Sequence, residues 1–351
     1  MPLISVTTKK FGPRVATSHK MDVPLAKLLW AAATVGVSPT APSVGKRSML
    51  ELCWRAKLVE ANLQVQANRW CRSDGYDRLD GSEKGAVSYF HGMTMAQVAC
   101  DEMLNVPSLV HLDRVLEALG KKTKASRPDF LGVHPLFNTP SVAVEAKGRT
   151  NEKDQKALDK AKIQAKKLPV ITGVGATMAV ASMSYFDVEG GSSGVPVWRC
   201  RLEDPPRQRT RDEIARTALI ALHYQPLVRA VAGSTREQRG EFSRWELPSL
   251  DAWLWLPSGL VEVGASLGDA VDLSQLEATG AALEEQLAAL YQRESLNQWA
   301  DVDPDKRSRN MLYMGANGVG LELGDSWEDR VARDNDRAAP RTDDALDGGV
   351  D

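Results

Sequence analysis

Asp129, Glu145 and Lys147 fall in one short stretch of the 351-residue chain, RPDFLGVHPLFNTPSVAVEAKG, which runs from Arg127 to Gly148. Their types and spacing suit one chemistry. Two carboxylates brought side by side repel unless a divalent cation lies between them. Hard oxygen donors from these acids, a backbone carbonyl and several waters suit octahedral Mg2+, with Mn2+ as its substitute. An ammonium group held beside a metal-bound water orients that water and offsets charge that develops on a phosphate. The combination is that of phosphodiester hydrolysis.

The elements that must position these residues are two strands. Phe130 to Val133 and Val142 to Ala146 are short apolar runs on either side of a breaker segment holding Pro135, Asn138 and Pro140, which predicts strand, turn, strand. Alternation along the second strand puts Glu145 and Lys147 on one face. Val142, Val144 and Ala146 then point the other way, into a core. If the two strands are neighbours, Asp129 comes beside Glu145.

Pro128 and Asp129, followed by Glu145, Ala146 and Lys147, resemble the PD-(D/E)xK pattern of the restriction-endonuclease-like superfamily, over roughly the middle third of the chain. The resemblance implies that Asp129, Glu145 and the Ala146 carbonyl hold the metal and that Lys147 acts on the water. It also implies an accessory carboxylate on an upstream helix, with Glu83 the first candidate and Asp101 and Glu102 behind it. A glutamine or lysine is expected from the helix after the second strand, where Gln155 and Gln164 are available. Each of these has a plainer reading, as a helix cap or a solvated side chain. The expected fold is α/β, with a restriction-endonuclease-like core of mixed sheet flanked by helices and an additional mixed C-terminal region. The expected activity is that of a metal-dependent DNA endonuclease of a restriction or phage-defence system, acting with partner proteins or as a homodimer. The rival reading is a non-catalytic scaffold that keeps the nuclease fold and works as a nucleic-acid-binding subunit.

Four segments are expected along the chain: an N-terminal extension over 1–45, the nuclease-like core over 46–205, a mixed region over 206–324 and a disordered acidic tail over 325–351. Periodicity predicts helices over 48–70, from Ser82 past Tyr89, over 106–119, 151–168 and 214–231, and from Leu273 to Tyr291. Thr177 to Phe186 and Val195 to Leu202 predict two strands about a Gly190 to Gly194 turn. Lys121, Lys122 and Lys124 stand before the first site strand as a solvated run or a phosphate contact. Trp245, Trp253 and Trp255 sit among leucines, which assigns them to a core rather than to base stacking.

Composition is that of a globular chain, 43% hydrophobic and 26% charged, with net charge −2. Nine acids and four arginines after residue 324 leave the remainder mildly basic. That balance suits a local nucleic-acid groove, not a chain that coats nucleic acid. Cys53, Cys71, Cys100 and Cys200 form no CxxC pair, so neither a zinc site nor a disulfide framework is expected, and a reducing cytoplasm fits. No segment approaches the ~20 apolar residues that span a bilayer, so no membrane partner is expected.

Overall fold

The strand that carries Glu145 is buried from Ser141 to Ala146, at odd and even positions alike, so both its faces are covered. That is the signature of a central strand with helices packed on the sheet. The computed structural model describes residues 1–12, 15–37, 46–121, 126–136, 140–187, 195–265, 272–293 and 304–338. Within it the chain is mixed α/β, a mixed sheet flanked by helices.

The N-terminal part runs β1 (Leu3–Lys9), β2 (Ser18–Asp22), α1 (Leu25–Thr34), α2 (Lys46–Ala61), β3 (Leu63–Gln66), β4 (Arg69–Arg72), α3 (Asp74–Arg78) and α4 (Gly81–Leu104). The middle runs β5 (Ser108–His111), α5 (Leu112–Ala118), β6 (Phe130–Val133), β7 (Ser141–Gly148), α6 (Gln155–Ala165), β8 (Lys167–Thr172), β9 (Thr177–Asp187) and β10 (Val197–Glu203). The rest is β11 (Gln208–Ala215), α7 (Arg216–Val231), β12 (Arg236–Arg239), β13 (Phe242–Leu247), β14 (Ala252–Pro257), α8 (Ser258–Ala265), α9 (Leu273–Arg293), α10 (Pro304–Ser308), β15 (Leu312–Met314), β16 (Gly320–Leu323) and α11 (Glu328–Ala338).

Among the described residues the large sheet has nine strands in the order β2-β1-β4-β10-β9-β7-β6-β5, with β3 paired to β4. Strand β7 is parallel to β9 and antiparallel to β6, which makes the sheet mixed. Strands β12 to β16 form a five-stranded antiparallel sheet, and β8 pairs with β11.

Several expectations give way here. The expected extension over 1–45 instead supplies β1, which pairs with β10, and α1, which is buried along its whole length. The helix predicted over 48–70 ends at Ala61. A hairpin follows, turning at Ala67 and Asn68, both with positive φ as a two-residue primed turn requires. The 106–119 segment is a strand and then a helix, because the short apolar run at 108–111 fits either period. The charged run before residue 215 is β11, held by β8, so no linker marks the expected boundary at 205. One hydrophobic cluster runs from Ile4 to Val331, across all three expected boundaries.

The tail is also folded over its first part. Trp327 is buried and donates from Nε1 to the Leu250 carbonyl at 2.8 Å, Val331 is buried, and Arg330 pairs with Glu60 at 2.9 Å. Trp327, just before α11, and Val331 within it stand at i and i+4 and anchor this segment together with Arg330, a signal that its high acid content masks. Lys122, Lys124, Asn138, residues 38–45, the turn expected at Gly190 to Gly194 and the tail from 339 lie outside the described residues. Trp245 and Trp255 are core side chains, as expected, and the four cysteines are buried and free. No helix among the described residues is long and apolar enough to cross a membrane.

Candidate active site

Register brings the two acids together. Strands β6 and β7 pair Phe130 with Val144, so one step further along the antiparallel ladder sets Asp129 across from Glu145. The ladder stops there for a covalent reason. Pro128, with no amide hydrogen to donate, stands where pairing would continue across from Ala146. The Ala146 amide donates instead to Asp129 Oδ2 at 2.9 Å, which fixes the carboxylate against β7. The observed contact of Ala146 with the site is thus through its amide.

The backbone under Asp129 is equally constrained. Its carbonyl accepts from the Leu112 amide at 2.9 Å, at the start of α5, and lies 3.3 Å from His111 Nδ1. Two residues earlier, Arg127 donates from Nε to Asp113 at 2.6 Å.

Glu145 has a fully buried side chain, while Lys147 is one-quarter exposed and ion-paired to Glu145 Oε1. The acid forms the floor of the site and the ammonium its rim. The second oxygen, Oε2, is buried without a hydrogen bond of normal geometry, with the Asp129 amide and carboxyl beside it. A buried carboxylate with one oxygen so poorly satisfied is costly, by at least a few kcal/mol, unless it is protonated or meets a cation. The electrostatics agree. Burial, and then the neighbouring Asp129 charge, push the Glu145 carboxyl up to about 7 against the pull of Lys147. Burial also raises Asp129, opposed by the Ala146 amide and the Lys147 charge.

Helix α4 sets the depth of this site. Asp80 caps its N-terminus by accepting from the Ser82 and Glu83 amides, and Glu83 returns the bond to the Asp80 amide at 3.0 Å. The helix passes over the end of β7 at backbone contact. A Cβ built at Gly148 would overlap the Ser88 carbonyl oxygen, and one at Gly92 would lie 2.6 Å from the Gly148 amide nitrogen. Gly92 therefore lets the strand approach the helix, which runs on to Leu104.

The structure brings Asp129, Glu145 and Lys147 together and leaves the helical candidates elsewhere. Glu83 is exposed and occupied in its capping box. Asp101 and Glu102, about five turns further along α4, pair with the buried Lys27, and Asp101 also accepts from Tyr313. Gln155 pairs with Asp159 on its own helix. Gln164 reaches the Arg127 carbonyl at 3.5 Å, the outer limit of a hydrogen bond, so it touches the segment that leads into Asp129 and not the acids. Two side chains that sequence reasoning passed over do bear on the site. Asp113 adds negative charge near Asp129, and Tyr89 on α4 has its hydroxyl pKa raised by burial and then by the Asp129 charge. No spacing rule marks either, because α5 and α4 reach the site through tertiary packing.

Whether a divalent cation fits can be judged from the donors. Among the described residues no group of three or more His, Cys, Asp or Glu is placed to share a metal ion. Mg2+ and Mn2+ do not need one, since one or two carboxylates plus waters and a phosphate oxygen complete their shell. The buried Glu145 oxygen, opposite Asp129 and next to the Lys147 ion pair, fits such an ion. Comparison with protein families, with curated proteins and with solved structures finds no match to this chain.

Proposed function

We propose that the protein is a metal-dependent nuclease that hydrolyses DNA phosphodiester bonds, built on a restriction-endonuclease-like core. The observation that carries this reading is the buried Glu145 Oε2 set across from Asp129, with an ammonium group on the neighbouring oxygen. Mg2+ or Mn2+, when bound, supplies a Lewis acid for the phosphoryl oxygen and lowers the pKa of the attacking water. Asp129 and Glu145 would hold it. Asp129 is preorganised for that role by the Ala146 amide, so its rotamer does not have to be fixed on binding. Lys147, at the rim, keeps a positive charge within reach of an arriving phosphate and of a water aligned for attack. Covering of β7 on both faces keeps bulk water away from Glu145, which strengthens each of these interactions. Service in a restriction or phage-defence system, alone or with partner proteins, is an inference from the superfamily resemblance.

The test uses supercoiled plasmid, linear duplex and single-stranded DNA with Mg2+, Mn2+ or chelator. Cleavage by the parent that chelator abolishes, and that Asp129→Ala lacks, is the expected result. Purified protein that leaves all three substrates intact with either metal would refute the enzyme and leave the nuclease-fold scaffold.

A further inference from the structure

We propose that the exposed rings of Trp54 and Tyr89 form a stacking platform for unpaired bases of the nucleic-acid strand whose phosphate lies at Asp129, Glu145 and Lys147. This rests on the phosphodiester reading of that site and deepens it, by naming single-stranded nucleic acid next to the cut as the substrate.

Large apolar side chains with high exposure are few among the described residues, and three of them fall in one patch: Trp54 at 52%, Tyr89 at 45% and Leu50 at 43%. Leu50 and Trp54 share a face of α2 at i and i+4. Phe90 joins the two helices, edge-on to Trp54 at 5.0 Å and to Tyr89 at 5.5 Å. The patch adjoins the acids by construction. Ser88, which touches Gly148 through its carbonyl, immediately precedes Tyr89, so the ring emerges from α4 at the turn that abuts the Lys147 peptide. On the other side, Arg55 donates to the Val35 and Gly36 carbonyls, and Gly36 lies against His111 and Phe130, the neighbours of Asp129.

Charge selects the occupant. Exposed Arg47 stands on the same face of α2, one turn before Leu50 and two before Trp54, and the first turn of that helix has no acid to neutralise it. Arg55, 5.8 Å from the Phe90 ring, is buried and paired with Glu51, so it braces that ring and offers no free charge. The exposed Arg47 charge beside exposed rings matches a phosphate beside stacked bases. A stable protein partner needs roughly 20–30 residues a side, and this patch of four apolar side chains is far smaller. It matches two or three bases.

Binding is measured by fluorescence anisotropy in chelator, so that nothing is cut, with labelled oligo(dT), oligo(rU) and a blunt duplex of equal length. Mn2+ binding to the same proteins is measured separately by calorimetry. The parent should bind at least one single strand more tightly than the duplex. Trp54→Ala and Tyr89→Ala should each weaken that binding about tenfold, while the phenylalanine variants stay within about threefold of the parent. Mn2+ binding should be unchanged in both Trp54 variants, since Trp54 lies on α2 and is half exposed, and the two phenylalanine variants should melt with the parent. The oligo(dT) and oligo(rU) arms decide whether the strand is DNA or RNA. Alanine variants that bind oligonucleotide as the parent does, or a parent that prefers duplex, overturn the platform and leave the acidic site standing. A parent dimer that Trp54→Ala converts to monomer, with oligonucleotide binding unchanged, overturns it in favour of a second copy of the chain. Absence of Mn2+ binding in the parent removes the site reading itself, and the calorimetry reads that independently of the oligonucleotides.

Discussion

Glu145 is expensive to keep ionised where it stands, and that cost has a sign that can be read. Its folded pKa is raised to about 7 from an ordinary 4.5, so between those values the folded protein binds a proton that the unfolded chain does not. Its contribution to stability therefore falls as pH rises through that window, by up to about 3 kcal/mol. Glu145→Gln, which keeps the shape and removes the charge, should melt higher than the parent at pH 8 in chelator and lose this advantage near pH 4.5. A variant that melts lower at pH 8 would contradict the assignment of the buried charge. Lys147→Ala separates chemistry from binding, because both carboxylates remain. Its DNA affinity should fall only modestly and its turnover about 10²-fold or more, near 3 kcal/mol of barrier, in single-turnover cleavage. Cutting at the parent rate would remove Lys147 from the chemistry. The three central residues were legible in the sequence because strand alternation and register are local rules. The accessory candidates were not, since what Glu83 does is decided by its own helix cap and what Asp101 does by Lys27, 74 positions away.

At the scale of elements, the site depends on how closely α4 lies on β7. Gly148→Ala would place a methyl group on the Ser88 carbonyl oxygen, and neither backbone can move without shifting the helix or the strand. The expected cost is about 2–3 kcal/mol in denaturant melts, with metal binding weakened as Glu145 and Lys147 are displaced. Gly85→Ala is the contrast, on the same helix with open space around it. It should stabilise by about 0.5–1 kcal/mol, since alanine holds helical backbone better than glycine. Equal effects from the two would show that helix propensity, not close approach, explains Gly148. The helix itself was readable from Ser82 onward, although its cap is Asp80 and not Ser82. Its contact with β7 was not, because a glycine in a helix reads the same whether it breaks the element or admits a neighbour.

Across the whole molecule, one core joins segments that sequence reasoning kept apart. Trp327 sits in the segment expected to be disordered, yet it is buried, donates to two carbonyls and lies beneath the Lys57 ammonium at 4.3 Å. Trp327→Ala should cost about 3–5 kcal/mol, and removal of everything after Gly324 at least as much. A truncated protein that melts with the parent would restore the tail as an appendage. Acid sensitivity belongs to this scale too. His91 and His223 are buried, and burial lowers both to about 3, so from pH 6.5 downward the unfolded chain takes up protons that the folded one refuses. Stability is full above 6.5 and falls by about 1.4 kcal/mol per histidine per pH unit below it. His91 packs against Tyr76, Phe186 and Trp198 with neither ring nitrogen hydrogen-bonded. His91→Phe should therefore match the parent at pH 7 and exceed it by about 2 kcal/mol at pH 5.

The most direct test of the acidic pair is Mn2+ binding, by calorimetry at pH 8, to the parent and to Asp129→Ala, Glu145→Gln and Lys147→Ala proteins. A site built from the Asp129 and Glu145 oxygens predicts saturable Mn2+ binding by the parent, loss in both carboxylate variants and retention in Lys147→Ala. Parent-like Mn2+ binding by Glu145→Gln would contradict it, because the buried oxygen of Glu145 would then have no part in holding the metal.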